Sequence, residues 1–179
     1  HVWDNDDPGS VFTVSNIGNR ALQRTDVREV VSGDVPYPIE HTGTVLAVVV
    51  GHTGCGAVTA TYQSLTGGLS APPGIAHCVG VLEPHHESGV ELLPEDLDEE
   101  EAINRLVEFN VDRQVAALCE SEDVPSDVDV VGVVYDFQDV YGGKRGEVHV
   151  INVNGETHEE ALQAAYPEMD DRVQRLWEY

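Results

Sequence analysis

The sequence predicts an α/β domain built on a mostly parallel sheet, and three observations carry that expectation. Residues 45–50 (VLAVVV) are continuously apolar, the pattern of a strand buried on both faces of a parallel sheet, and the Val-rich run 128–135 (VDVVGVVY) is similar. Segments with helical apolar spacing alternate with them. A β-branched run at 147–153 (EVHVINV) follows Gly142-Gly143 and reads as an antiparallel strand returning from a hairpin. With 179 residues, 41% of them hydrophobic, the chain suits a single domain over 1–179.

Taken in order, residues 11–17 alternate, with Phe12 and Val14 on one face, and are expected to form the first strand. The strand at 45–50 passes through a glycine turn into a helix expected over 56–65. Residues 70–93 contain Pro72-Pro73-Gly74 and Pro84, and are expected to be an irregular loop over a surface or an interface. Residues 94–118 predict one or two helices. Their acidic start lies at Glu95 and Asp96, and Ile103, Leu106, Val107, Val111, Val115 and Leu118 fall near helical spacing. After the strands at 128–135 and 147–153, residues 157–179 are expected to be helical, with Thr157 as N-cap and Glu160 completing a capping box.

Charge narrows the function classes. Asp and Glu number 33 against 9 Lys and Arg, a formal net charge of -24, and Lys144 is the sole lysine. Such a surface repels itself in dilute buffer and is screened by salt, the balance a halophile's cytosol selects; an ordinary acidic protein is the alternative. Nucleic acid and anionic membranes are excluded as partners, because no basic stripe is available to meet them. No apolar run reaches membrane-span length. Three cysteines, Cys55, Cys78 and Cys119, argue against a disulfide framework and fit a reducing, cytoplasmic location.

Residues 50–58 (VGHTGCGAV) hold the chemistry. A buried strand ends, the chain turns on glycines, and a helix begins, the place where open α/β sheets bind ligands. His52 and Cys55 lie three apart across that turn. Imidazole and thiolate are typical zinc ligands, and a helix N-terminus favours the thiolate. A phosphate-binding loop would also place four residues between Gly51 and Gly56. It would then require Lys and Ser or Thr where Ala57 and Val58 stand. Two alternatives stay open on these residues alone: a His and a Cys simply packed at a strand end, and a redox or anion-binding module built on Cys55. His77 and Cys78 read as loop residues, His85-His86 as a solvated pair, Cys119 as a core residue, and 95–101 as a solvated acidic helix start.

The wider chain resembles the β-class carbonic anhydrases. Residues 51–58 reproduce that family's G-H-S/T-x-C-G-A/G-V signature. Residues 8–19 (PGSVFTVSNIGN) are similar to its P-G-D-x-F-x-x-R-N-A-G-N turn, with Ser15 where Arg is usual. Residues 33–41 (GDVPYPIEH) resemble the helix before the zinc strand. Residues 108–118 (EFNVDRQVAAL) resemble the E-x-N-V-x-x-Q helix, and 131–137 (VGVVYDF) the G-x-x-Y-D strand end. The resemblance implies a mostly parallel four-stranded sheet with an antiparallel edge strand, flanked by helices and assembled as homodimers or higher even oligomers. It implies zinc as cofactor, His52 and Cys55 as two of its ligands, and CO2 and bicarbonate as substrate and product. Gly54 and Gly56 would shape the substrate pocket, and Asn16, Gly18 and Asn19 a turn near the cleft. The family's third ligand and its Asp–Arg pair come from a C-x-D/S-x-R segment, and nothing before Pro8 matches it. That segment forms the central strand, between the strands at 11–17 and 45–50, so an upstream portion carrying it is expected. A catalytically inactive relative that holds zinc or binds partners is the alternative.

Overall fold

The computed structural model describes residues 7–178. Its main sheet runs β3-β4-β5. Strand β3 (Leu46–His52) lies parallel to β4 (Asp129–Tyr135), and β5 (Val148–Val153) returns antiparallel on the other side of β4. The parallel register pairs Leu46 with Asp129 and His52 with Tyr135, so both strands finish at one edge of the molecule. A parallel pair needs a long crossover, here α2 (Gly56–Thr66), α3 (Pro73–Leu92) and α4 (Glu99–Cys119). A small hairpin, β1 (Leu22–Arg24) with β2 (Glu29–Val31), and a short helix α1 (Pro36–Thr42) precede β3.

Helix α4 lies directly on the sheet, because glycine on both parallel strands lets it approach. A Cβ at Gly51 would sit 2.6 Å from Val111, and one at Gly132 would sit 2.8 Å from the same side chain. Val107, Val111 and Val115 thus join Val49, Val130, Val134 and Ile151 in the larger core. On the opposite face Val133, Val150 and Val153 pack beneath Leu162 of α5 (Glu159–Ala165) and Val173, which follows a 3-10 turn (Pro167–Arg172).

A buried polar cluster fastens the C-terminal strap to α4. Fully buried Glu108 accepts hydrogen bonds from the backbone N–H groups of Leu176 and Trp177 and from the Tyr141 hydroxyl. Arg175 pairs with Asp112 at 2.7 Å. Burial pushes the Glu108 carboxyl up to about 7, against the pull of Arg175, Tyr141 and the two backbone donors.

Several expectations are corrected. Residues 11–17 form no strand: Val11, Phe12 and Ile17 are exposed, and the segment has no ladder partner among the described residues. The outer edge of β3 is likewise unpaired among them, which leaves Val45, Leu46 and Val48 exposed rather than buried on both faces. Among the described residues the main sheet has three strands, one parallel pair and one antiparallel pair.

The expected loop at 70–93 is mostly the 20-residue helix α3. Pro73 stands in its first turn, where a missing N–H costs nothing, and the ring of Pro84 sits at an exposed position. Accordingly His77 is an exposed helical residue, and His86 is buried rather than solvated. His85 lies 3.1 Å from the Glu29 carboxylate. Cys119 is exposed, not core. The C-terminal helix is short and capped by His158 without a side-chain bond. Glu156 takes the N–H groups of Thr157 and His158 in place of the expected Thr157 box. Tyr166 precedes Pro167, which disfavours further α-helix; Tyr179 lies outside the described residues. Asp98 and Glu101 form a capping box at the start of α4.

Candidate metal centre

The site forms where β3 and β4 end together. Beyond His52 the chain turns through Thr53 and Gly54, and Cys55 is the N-cap of α2. Thr53 is buried and bridges the two strand ends. Its N–H donates to the Tyr135 carbonyl at 3.1 Å, and its hydroxyl donates to Asp136 at 3.1 Å. The same hydroxyl accepts the N–H groups of Phe137 at 2.8 Å and Gln138 at 3.2 Å. Asp136 is wholly buried and also accepts from the backbone of Gln138, Asp139 and Tyr141, so its carboxylate organises the loop after β4.

Gly54 adopts a φ of 64°, the left-handed region in which a side chain is strained. That turn brings His52 and Cys55 together. Nδ1 of His52 lies 3.0 Å from the Thr53 carbonyl, which leaves Nε2 as the ring nitrogen turned toward Cys55. The hydrogen bond between the His52 ring and Cys55 raises the His52 pKa above its usual value, against partial burial. Burial pushes the Cys55 thiol up. The His52 hydrogen bond and the N–H groups of Val58 and Ala57, at the start of α2, outweigh it and leave the thiol below its usual value. Phe137 sets its ring edge-on to His52, centroids 5.4 Å apart, and packs against Tyr135. A Cβ at Gly56 would meet nothing within 4 Å, so that position faces open space beside the pair.

The turn of Asn16, Gly18 and Asn19 is tied elsewhere. Asn16 closes the turn on Arg20, Gly18 presses on Leu82, and Asn110 of α4 donates to the Gly18 carbonyl at 3.1 Å. Gln114 accepts the Ala21 N–H. The polar positions of the E-x-N-V-x-x-Q helix are therefore tethers: Asn110 and Gln114 hold this turn, while Glu108 holds the C-terminal strap. Asp136, Asn104 and Gln138 carry contacts around the His52–Cys55 turn that sequence reasoning did not assign. For Asp136 the available signal was its place at the carboxyl end of a parallel strand.

One imidazole and one thiol facing each other suit zinc in kind, and a catalytic zinc site takes three protein ligands. Among the described residues no group of three or more His, Cys, Asp or Glu side chains is placed to hold a metal ion, so the pair meets part of that requirement.

Comparison with known proteins agrees with the fold. The profile of the family described as carbonic anhydrase matches residues 2–162. The structure superposes on the β-carbonic anhydrase CafA of Aspergillus fumigatus with a TM-score of 0.62 and 25% identity, over 90% of this chain and 72% of that one. For the Coccomyxa β-carbonic anhydrase solved with acetazolamide the TM-score is 0.60 and the identity 25%, over 88% of this chain and 67% of that one. A tetrameric β-carbonic anhydrase of Sordaria macrospora shares the fold at 20% identity, with a TM-score of 0.62 over 82% of this chain and 70% of that one. No curated protein matches. The chain belongs to the carbonic anhydrase family, with the fold of its β class.

Proposed function

We propose that the protein catalyses reversible hydration of CO2 to bicarbonate and a proton, with zinc held in part by His52 and Cys55. The observation that carries this reading is the meeting of the two side chains at the joint end of β3 and β4, Nδ1 of His52 engaged by the Thr53 carbonyl and Cys55 at a helix N-terminus. A bound zinc supplies Lewis acidity that makes water a nucleophile near neutral pH. The chain's own residues do the rest. The Thr53 carbonyl fixes the His52 tautomer, and the first N–H groups of α2 favour thiolate at Cys55. Gly54 and Gly56 shape the room for a small substrate beside the pair. Phe137 sets an apolar ring beside His52. The resemblance gives Asn16, Gly18 and Asn19 a turn near the cleft, and their contacts here are with Arg20, Leu82 and Asn110 rather than with the His52–Cys55 pair.

A complete site also needs a third protein ligand and an Asp–Arg pair, supplied from outside residues 7–178 or by another chain. The open edge of β3 favours a further strand there, which would complete the four-stranded sheet. Assembly as a homodimer or higher even oligomer would cover Leu46 and Val48, which are exposed in the single chain. The acidic, lysine-poor surface supports a salt-rich cytoplasm. No helix among the described residues is long and apolar enough to cross a membrane.

One observation favours a second reading, a non-catalytic relative: no third ligand joins His52 and Cys55 among the described residues. Stopped-flow CO2 hydration of the wild type beside His52→Ala and Cys55→Ser separates the two. Activity lost in both variants supports catalysis; an inactive wild type that retains zinc supports the relative.

A further inference from the structure

The two residues between His52 and Cys55 are pinned from different directions. Thr53 is held by the loop after β4, as described above. Gly54 is held by helix α4: its N–H donates to Oδ1 of Asn104 at 2.9 Å. The other end of the same amide donates to Oε1 of Gln138 at 3.0 Å. The Gln138 side chain then lies flat against Gly54, where a Cβ would come within 3.1 Å of it. Asn104 is itself buried, so both of its polar ends are committed to this arrangement. A left-handed residue has few restraints of its own, and an unheld Gly54 would let His52 and Cys55 drift apart.

We propose that Asn104 and Gln138 are positioning residues that set the spacing of the His52–Cys55 pair for a metal ion, acting through the backbone of Gly54. The proposal rests on the zinc reading given above. Asn104 touches neither reacting atoms nor metal; its effect travels through one N–H group. Replacement by leucine keeps the branching at Cγ with somewhat more volume and removes both hydrogen bonds. Replacement by aspartate keeps the acceptor for Gly54, and the Gln138 amide can turn to donate to the second oxygen.

The test uses the natural protein, wild type, Asn104→Leu and Asn104→Asp. Two readouts are taken: zinc affinity by competition with a chromogenic chelator, and hydrogen exchange of the Gly54 amide in the metal-free protein. Asn104→Leu is expected to lose Gly54 protection and to weaken zinc about 10-fold or more. Asn104→Asp is expected to restore both. The visible spectrum of the Co2+-loaded protein should change in Asn104→Leu and return in Asn104→Asp. If the wild type binds zinc and Asn104→Leu binds it equally well, the positioning role is overturned while the zinc reading stands. If the wild type binds no zinc, the zinc reading falls and takes this proposal with it.

Discussion

Alanine at each of the three glycines around the His52–Cys55 pair should give three different results. At Gly51 the new methyl would stand 2.6 Å from Val111 and 3.1 Å from Val107, both on the helix that covers the sheet. Neither valine has a long flexible end to swing aside, so helix or strand must move, a cost of about 1–3 kcal/mol. The movement falls one residue before His52, so zinc affinity should drop with stability. At Gly54 the methyl meets the far end of Gln138, which can shift, but a left-handed alanine costs roughly 1–2 kcal/mol. At Gly56 nothing lies within 4 Å and the backbone is ordinary, so alanine should change stability by less than about 0.5 kcal/mol. Urea unfolding measures all three on one scale. If the proposed function holds, Gly56→Ala should still slow CO2 hydration, because its methyl would occupy room that reading assigns to substrate. Equal destabilisation at Gly51 and Gly56 would refute the packing of α4 on β3.

Three further expectations follow from charge. Burial holds the His86 imidazole down to about 4 from a reference of 6.5. Its folded pKa is depressed, so its contribution of roughly 3 kcal/mol is intact above pH 6.5 and lost as pH falls through 4. The pH dependence of unfolding should flatten in that window in His86→Leu, and parallel curves would contradict the assignment. Glu108 acts with the opposite sign: raised from 4.5 to about 7, it holds a proton in the folded state that the unfolded state releases. Stability from this group therefore declines as pH rises from 4.5 to 7, and Glu108→Gln should remove that decline in the same titration. Finally, a net charge of -24 should make the unfolding midpoint climb between about 0.1 and 1 M salt, as the screening length falls from roughly 10 to 3 Å. A midpoint independent of salt would remove self-repulsion as a factor.

The elements that hold the site were legible because their residues have one physical solution. A continuous Val-rich run ending in Gly51, followed by an amphipathic stretch, fits a strand feeding a helix, and β3 and α2 follow that reading. What escaped it depended on distant partners. Three prolines made α3 look like a loop, although Pro73 needs no N–H donor in the first turn and Pro84 turns its ring outward. Residues 11–17 have strand alternation, but a strand exists only where a neighbour completes its ladder. His86 and Cys119 exchanged their expected environments because a helix face is assigned by what packs on it. The Thr53–Asp136 and Gly54–Asn104 contacts join residues 83 and 50 positions apart, and no local pattern announces them.

The zinc content of the natural protein, measured after purification at high salt beside His52→Ala and Cys55→Ser, tests the central claim most directly. About one zinc per chain in the wild type, lost in both variants whose unfolding curves stay cooperative, is the expected result. Zinc retained undiminished in both variants, or absent from the wild type, would contradict the assignment of His52 and Cys55 as its ligands.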